Sequence, residues 1–112
     1  MSVKVLGGQN SIATQFLNEI RDEELQRDRM RFRNNMQRMG EIMAYEISKS
    51  FDFTSFEVQT PLAKIKTSKL LNQPVLITVL RAGLAYFQGF QNFFDQAEAG
   101  FIGAYRKEGG HE

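Results

Sequence analysis

Cysteine is absent from the chain, and histidine occurs once, at position 111. Without a thiol there can be no disulfide and no thiolate metal site, and nothing marks a disulfide-stapled secreted scaffold. With His111 as the only imidazole, a histidine-rich metal cluster, an HExxH zinc site and a Ser-His-Asp triad with an internal histidine are all excluded. An excess of either charge is also missing: 14 Lys and Arg face 13 Asp and Glu, for a net charge of +1. The global pull toward nucleic acid or anionic membrane is therefore weak, and neither is expected as a partner. No stretch reaches the roughly 18 apolar residues of a membrane span, and residues 1–10 lack the basic-then-apolar pattern of a signal peptide. A soluble cytoplasmic protein is the expectation.

What is present fits one ordinary globular unit. The chain has 112 residues, 42% of them apolar and 24% charged. At that length a single core is expected, with roughly two-thirds of the unfolded chain's surface available for burial. Ile12, Phe16, Leu17 and Ile20 fall at helical spacing after Asn10 and Ser11, which can cap. Asp22, Glu23 and Glu24 then supply the acidic start that a helix favours. From Leu25 through Arg29, Phe32, Met36, Met39 and Met43 to Ile47, steps of three and four predict one helix of about 25 residues. Its other face mixes Arg27, Arg31, Arg33 and Arg38 with Asp28, Glu41 and Glu46. Because acids interleave the arginines, a solvated face with local ion pairs is favoured over a nucleic-acid strip. The methionines read as core or subunit contact, not as a cofactor site.

After Ser50 the pattern changes. Phe51, Phe53, Phe56, Val58 and Ile65 alternate loosely with polar residues, which predicts a β-arm over about 51–68, a hairpin with Pro61 at an edge or turn. The run from Val75 to Leu80 is almost continuously apolar, the pattern of a parallel strand covered on both faces. Arg81-Ala82-Gly83 ends it, Leu84, Phe87, Phe90 and Phe94 return to helical spacing, and Ala99 to Tyr105 reads as a second strand. Strand, tight turn, helix and strand make a βαβ unit over about 74–106, followed by an expected mobile tail at 107–112. The fold class is α/β.

In open α/β sheets ligands gather beyond the carboxyl ends of the strands, where loops lead into helix amino ends. Arg81 to Gly83 is such a place. An anion there would meet backbone donors, the positive end of the helix dipole and a permanent guanidinium, and Gly83 carries no Cβ to obstruct it. Arg106 and Lys107 follow the second strand, which puts two more cations at the same end of the sheet. From spacing alone these residues serve solubility as readily as function.

These residues also carry a resemblance. Val79-Leu80-Arg81-Ala82-Gly83-Leu84 after an apolar strand, Gly103-Ala104-Tyr105-Arg106-Lys107-Glu108 further on, and Arg31-Phe32-Arg33 followed by Met43-Ala44-Tyr45-Glu46 upstream resemble the uracil phosphoribosyltransferase family. The combination is specific where each piece alone is not. The resemblance runs from about Leu17 onward and corresponds to the amino-terminal half of that family's usual length. It implies the amino-terminal part of a type I phosphoribosyltransferase fold. It also implies pyrimidine salvage chemistry: the ribose 5-phosphate group of phosphoribosyl diphosphate passes to N1 of uracil, giving UMP and diphosphate.

By the same resemblance, Arg81, Ala82 and Gly83 correspond to the diphosphate-binding loop. Arg106 would sit at the root of the catalytic loop and reach the same diphosphate. Magnesium (Mg2+) would be bound mainly by substrate oxygens, with no protein ligand in this chain, and a homodimer is expected. The family's Thr-Gly-rich loop for the ribose phosphate and its uracil-recognition segment have no counterpart here. Residues 1–112 alone are therefore expected to be inactive. The alternative reading is a non-catalytic remnant that keeps the helix and β-arm for oligomerisation, and a nucleic-acid-binding helix is a distant third.

Overall fold

The structure is a computed structural model that describes residues 5–81 and 83–103. A short 3₁₀ turn at Leu6–Gly8 leads to helix α1, Ile12–Arg21. Ser11 caps α1 as the sequence predicts: its hydroxyl accepts from the Ala13 N–H at 3.1 Å, and its own N–H donates to Thr14 Oγ1 at 3.2 Å. Two orphan donors of the first turn are satisfied this way.

The long helix is shorter than its periodicity predicts. Helix α2 spans Arg29–Ser48, 20 residues, and Leu25–Arg27 form a separate 3₁₀ turn. Two aspartates make the break. Asp22 Oδ1 accepts from the N–H groups of Glu24 at 2.8 Å and Leu25 at 3.1 Å, and Asp28 Oδ1 accepts from Arg31 N–H at 3.1 Å as the cap of α2. Short acidic side chains that bond to nearby backbone compete with helix continuation and favour turns and caps. Apolar spacing alone carries no trace of that competition.

Strands β1, Phe53–Gln59, and β2, Lys64–Leu70, form an antiparallel hairpin paired from Phe53↔Leu70 to Gln59↔Lys64. Pro61 lies in its turn, which Thr60 closes: its N–H donates to the Ala63 carbonyl at 2.8 Å, and its hydroxyl accepts from Ala63 N–H at 3.0 Å. Leu70 packs against the core at the base of the hairpin, whereas Phe53, Phe56 and Ile65 stay exposed. The arm thus extends from the body, and the molecule measures 63 × 33 × 32 Å.

The βαβ unit follows. Strand β3, Val75–Leu80, pairs in parallel with β4, Glu98–Gly103, and helix α3, Leu84–Phe93, connects them. Ala44 of α2, Leu76 of β3, and Phe87 and Phe94 of the α3 region form the buried core, with Phe51 and Phe90 against it. Helices α2 and α3 cross at Gly40 and Gly89, close enough that a Cβ on Gly89 would stand 2.8 Å from Gly40 Cα.

One expectation about β3 fails. Its two apolar faces predict cover on both sides, yet Leu76 is buried while Ile77 is 63% exposed, with Val75 and Val79 also open. Among the described residues α3 covers one face of the two-stranded sheet and nothing covers the other. The expected end of the second strand, residues 104–105, and the tail at 107–112 lie outside the described residues.

Candidate anion site at the β3–α3 turn

Parallel pairing brings Leu80 opposite Gly103, so both strands end at the same edge of the sheet. Here β3 gives way to α3 through a cis peptide between Leu80 and Arg81. The turn is closed by Leu84 N–H donating to the Arg81 carbonyl at 3.1 Å and by Phe87 N–H donating to the Gly83 carbonyl at 2.9 Å. Gly83 is the cap residue of α3, and no side chain caps that amino end. Its φ of −85° is open to any residue, so a left-handed backbone is not the reason for glycine here. The reason is space: a Cβ would lie 2.7 Å from Thr78 Oγ1.

The Arg81 side chain is exposed and lines a groove of about 560 Å³ between the amino-terminal half of α2 and the first turns of α3. Arg33, Asn34, Gln37 and Gln88 supply further polar lining, and Met30, Met36 and Leu84 the apolar part. Gln88 is held by a chain of contacts: its Nε2 donates to Asn92 Oδ1 at 3.1 Å, and Asn92 Nδ2 donates to Glu41 Oε2 at 2.8 Å. No hydrogen bond or ion pair with the described residues engages Arg33 or Arg81.

Two other arginines of α2, Arg31 and Arg38, differ in this respect. Arg31 pairs with Glu19 of α1 at 2.7 Å, and Arg38 donates to Asn35 Oδ1 at 3.0 Å while lying 5.1 Å from the Phe16 ring centroid. Asn35 is fully buried and donates to the same Glu19 carboxylate at 3.2 Å. The hydrogen bonds from Arg31 and then Asn35 hold Glu19 below the usual carboxylate range. The helix face read as solvated, with local ion pairs, therefore clamps α1 to α2 in part, and the acid for Arg31 comes from the neighbouring helix. Lys49 and Glu46, 3.2 Å apart, do form a local pair.

Of the residues singled out from sequence, the structure places Arg81 on the groove and Gly83 at the cap. Ala82 and Arg106 lie outside the described residues, as does Lys107. Arg33, which the sequence pattern groups with the solvated face, also lines this groove. The signal was available: the positions one turn away, 29, 30, 36 and 37, are Arg, Met, Met and Gln, so no acid is placed to neutralise it. Among the described residues no group of three acids or imidazoles could hold a metal ion. No helix among them is long and apolar enough to cross a membrane.

Known proteins share this arrangement. The solved structure of the AQ2163 protein from Aquifex aeolicus superposes with a TM-score of 0.76 at 24% identity, over 96% of this chain and 50% of that one, which establishes a common fold. The uracil phosphoribosyltransferase of Porphyromonas gingivalis is 47% identical over 107 residues, 96% of this chain and 50% of its own length. That of Malacoplasma penetrans is 36% identical over 88 residues, 79% of this chain and 43% of its own. The chain thus spans about half the length of the curated relatives it matches. The family's sequence pattern, that of uracil phosphoribosyltransferase, matches residues 8–112. With its helix pair, hairpin and βαβ unit in the order of the amino-terminal portion of a type I phosphoribosyltransferase fold, this chain belongs to the uracil phosphoribosyltransferase family.

Proposed function

We propose that the chain supplies the diphosphate-binding part of a uracil phosphoribosyltransferase, acting in cytoplasmic pyrimidine salvage to convert uracil and phosphoribosyl diphosphate to UMP and diphosphate. The observation that carries this reading is Arg81. It is an exposed guanidinium with no partner among the described residues, at the carboxyl end of a parallel strand and beside a helix amino end that no described side chain caps. Breaking the anomeric bond leaves negative charge on diphosphate and an oxocarbenium-like sugar. A fixed cation at the leaving group therefore stabilises the transition state more than the ground state.

In this reading the backbone of Ala82 and Gly83 lies along the diphosphate, and Arg106 joins Arg81 at the leaving group. Magnesium would neutralise the departing charge. The described residues offer no acidic cluster for it, so no step is assigned to a protein-held metal.

The assay is UMP formation by this chain mixed with the carboxy-terminal half of the Porphyromonas gingivalis relative. Activity is expected only when both halves are present, and Arg81→Ala should lower it by a factor of about 100, the scale of losing one charge-stabilising donor. An unchanged rate would remove Arg81 from the reaction. The hairpin favours a second reading: Phe53, Phe56 and Ile65 are exposed along an arm suited to pairing with another copy, as in a homodimer. Absence of activity with or without the second half, together with a dimer that depends on these side chains, would favour a non-catalytic oligomerisation role.

A further inference from the structure

Arg33 of α2 and Arg81 of the β3–α3 turn come from opposite walls of one groove of about 560 Å³. None of the residues lining it is acidic, and neither guanidinium has a hydrogen-bond or ion-pair partner among the described residues. Two other grooves show what is distinctive. One of about 200 Å³ contains Arg31 and Arg38, but Glu19 and Asn35 already occupy those guanidiniums. One of about 300 Å³ at the base of the hairpin, between Asp52 and Asn72, has no cation in its lining. Of these three grooves among the described residues, the one with Arg33 and Arg81 presents two uncommitted positive charges to a space large enough for a small ligand.

Two like charges facing one cavity repel each other until an anion lies between them. The exposed Met30 and Leu84 and the half-buried Met36 flank the two charges with apolar surface. Asn34 and Gln37 add carboxamide donors from the Arg33 side. We propose that Arg33 is a second anion contact opposite Arg81, so that the groove holds a diphosphate by both ends in preference to a single phosphate. The identity of the anion rests on the function proposed above; the role of Arg33 rests on the groove.

The test is calorimetric titration of this chain with inorganic diphosphate and, separately, with orthophosphate. The variants are Arg81→Gln, Arg33→Gln, Arg33→Lys and, as a charge-matched control away from the groove, Arg27→Gln; circular dichroism confirms that each is folded. Arg33→Gln should weaken diphosphate roughly tenfold, the scale of one charge-assisted hydrogen bond, and should leave orthophosphate nearly unchanged. Arg33→Lys should recover part of the loss, since it keeps the charge without the planar fork. Arg27→Gln should change neither ligand.

If Arg81→Gln weakens diphosphate while Arg33→Gln behaves like Arg27→Gln, the second contact is overturned and the Arg81 reading stands. If neither Arg81→Gln nor Arg33→Gln has an effect, or if the unmodified chain binds no diphosphate at millimolar concentration, both are overturned.

Discussion

Gly40 of α2 and Gly89 of α3 meet backbone to backbone. A Cβ built on Gly89 would lie 2.8 Å from Gly40 Cα and 2.7 Å from Glu41 N, and one on Gly40 would run into the Tyr86 carbonyl. Every atom in the way is main chain, so no rotamer change relieves the clash. Gly89→Ala should therefore force the helices apart and destabilise the fold by about 2–3 kcal/mol or more, the range for overpacking a tight interior. Gly8→Ala, with nothing within 4 Å of its Cβ, is the matched control and should stay within about 0.5 kcal/mol. Urea midpoints of the two variants decide the point. Equal midpoints would show that the helices do not cross as described.

The clamp between α1 and α2 gives stability a pH dependence. Glu19 is held below the usual carboxylate range, first by the Arg31 hydrogen bond and then by that of Asn35. A carboxylate whose folded pKa is depressed contributes stability that is fully present above the unfolded value of about 4.3, and that contribution is lost as pH falls through the folded pKa. Glu19→Gln should thus lower the urea midpoint at pH 7. The gap from the unmodified chain should narrow below about pH 4 and close once the carboxyl is protonated. A gap that persists undiminished at pH 2 would show that the charge of Glu19 does not matter.

The uncovered face of the β3–β4 sheet presents Val75, Ile77, Val79 and Ile102 to solvent, each more than half exposed. An apolar sheet face open to water is a surface for association. Ile77→Thr keeps the β-branch that suits a strand while replacing apolar surface, so its effect on stability should stay within about 0.5 kcal/mol. Binding of the dye ANS and the average mass by light scattering at high protein concentration should both fall. If both are unchanged, that face is not what drives association of the chain.

The elements that could be read from sequence are those whose side chains alternate or recur against a single partner. Hairpin β1–β2 shows as aromatic and β-branched residues, Phe53, Phe56 and Val58, loosely interleaved with polar ones before a proline turn, and β3–α3–β4 as an apolar run, a glycine turn and a helical stripe. What escaped reading depends on contacts that periodicity does not carry. The break before α2 lies in two aspartate-to-backbone bonds, and the partner of Arg31 lies twelve residues away on another helix. Arg33 stands two residues from Arg31, about 200° around the helix. Reading the arginines of the helix as one solvated face hid that separation, and the packing of α3 against α2 turns it into an engaged guanidinium on one side and a groove shared with Arg81 on the other.

That groove is positioned by the turn beneath it, in which Gly83 lies against Thr78. A Cβ at Gly83 would lie 2.7 Å from Thr78 Oγ1 and 3.5 Å from the Val79 carbonyl, so one side chain is the main obstacle. Gly83→Ala in the unmodified chain should cost stability for two reasons: the clash with Thr78, and the poorer capping of α3 by alanine. In a Thr78→Ala background the clash is gone and only the capping loss remains. The two substitutions should therefore couple by about 1 kcal/mol in a double-mutant cycle read from urea midpoints. The same cycle read through diphosphate binding should show Gly83→Ala weakening the ligand when Thr78 is present and sparing it when Thr78 is absent, because Arg81 is then carried on an undisturbed turn. Strict additivity in both readouts would mean that Thr78 is not what excludes a side chain at Gly83 in the turn that presents Arg81.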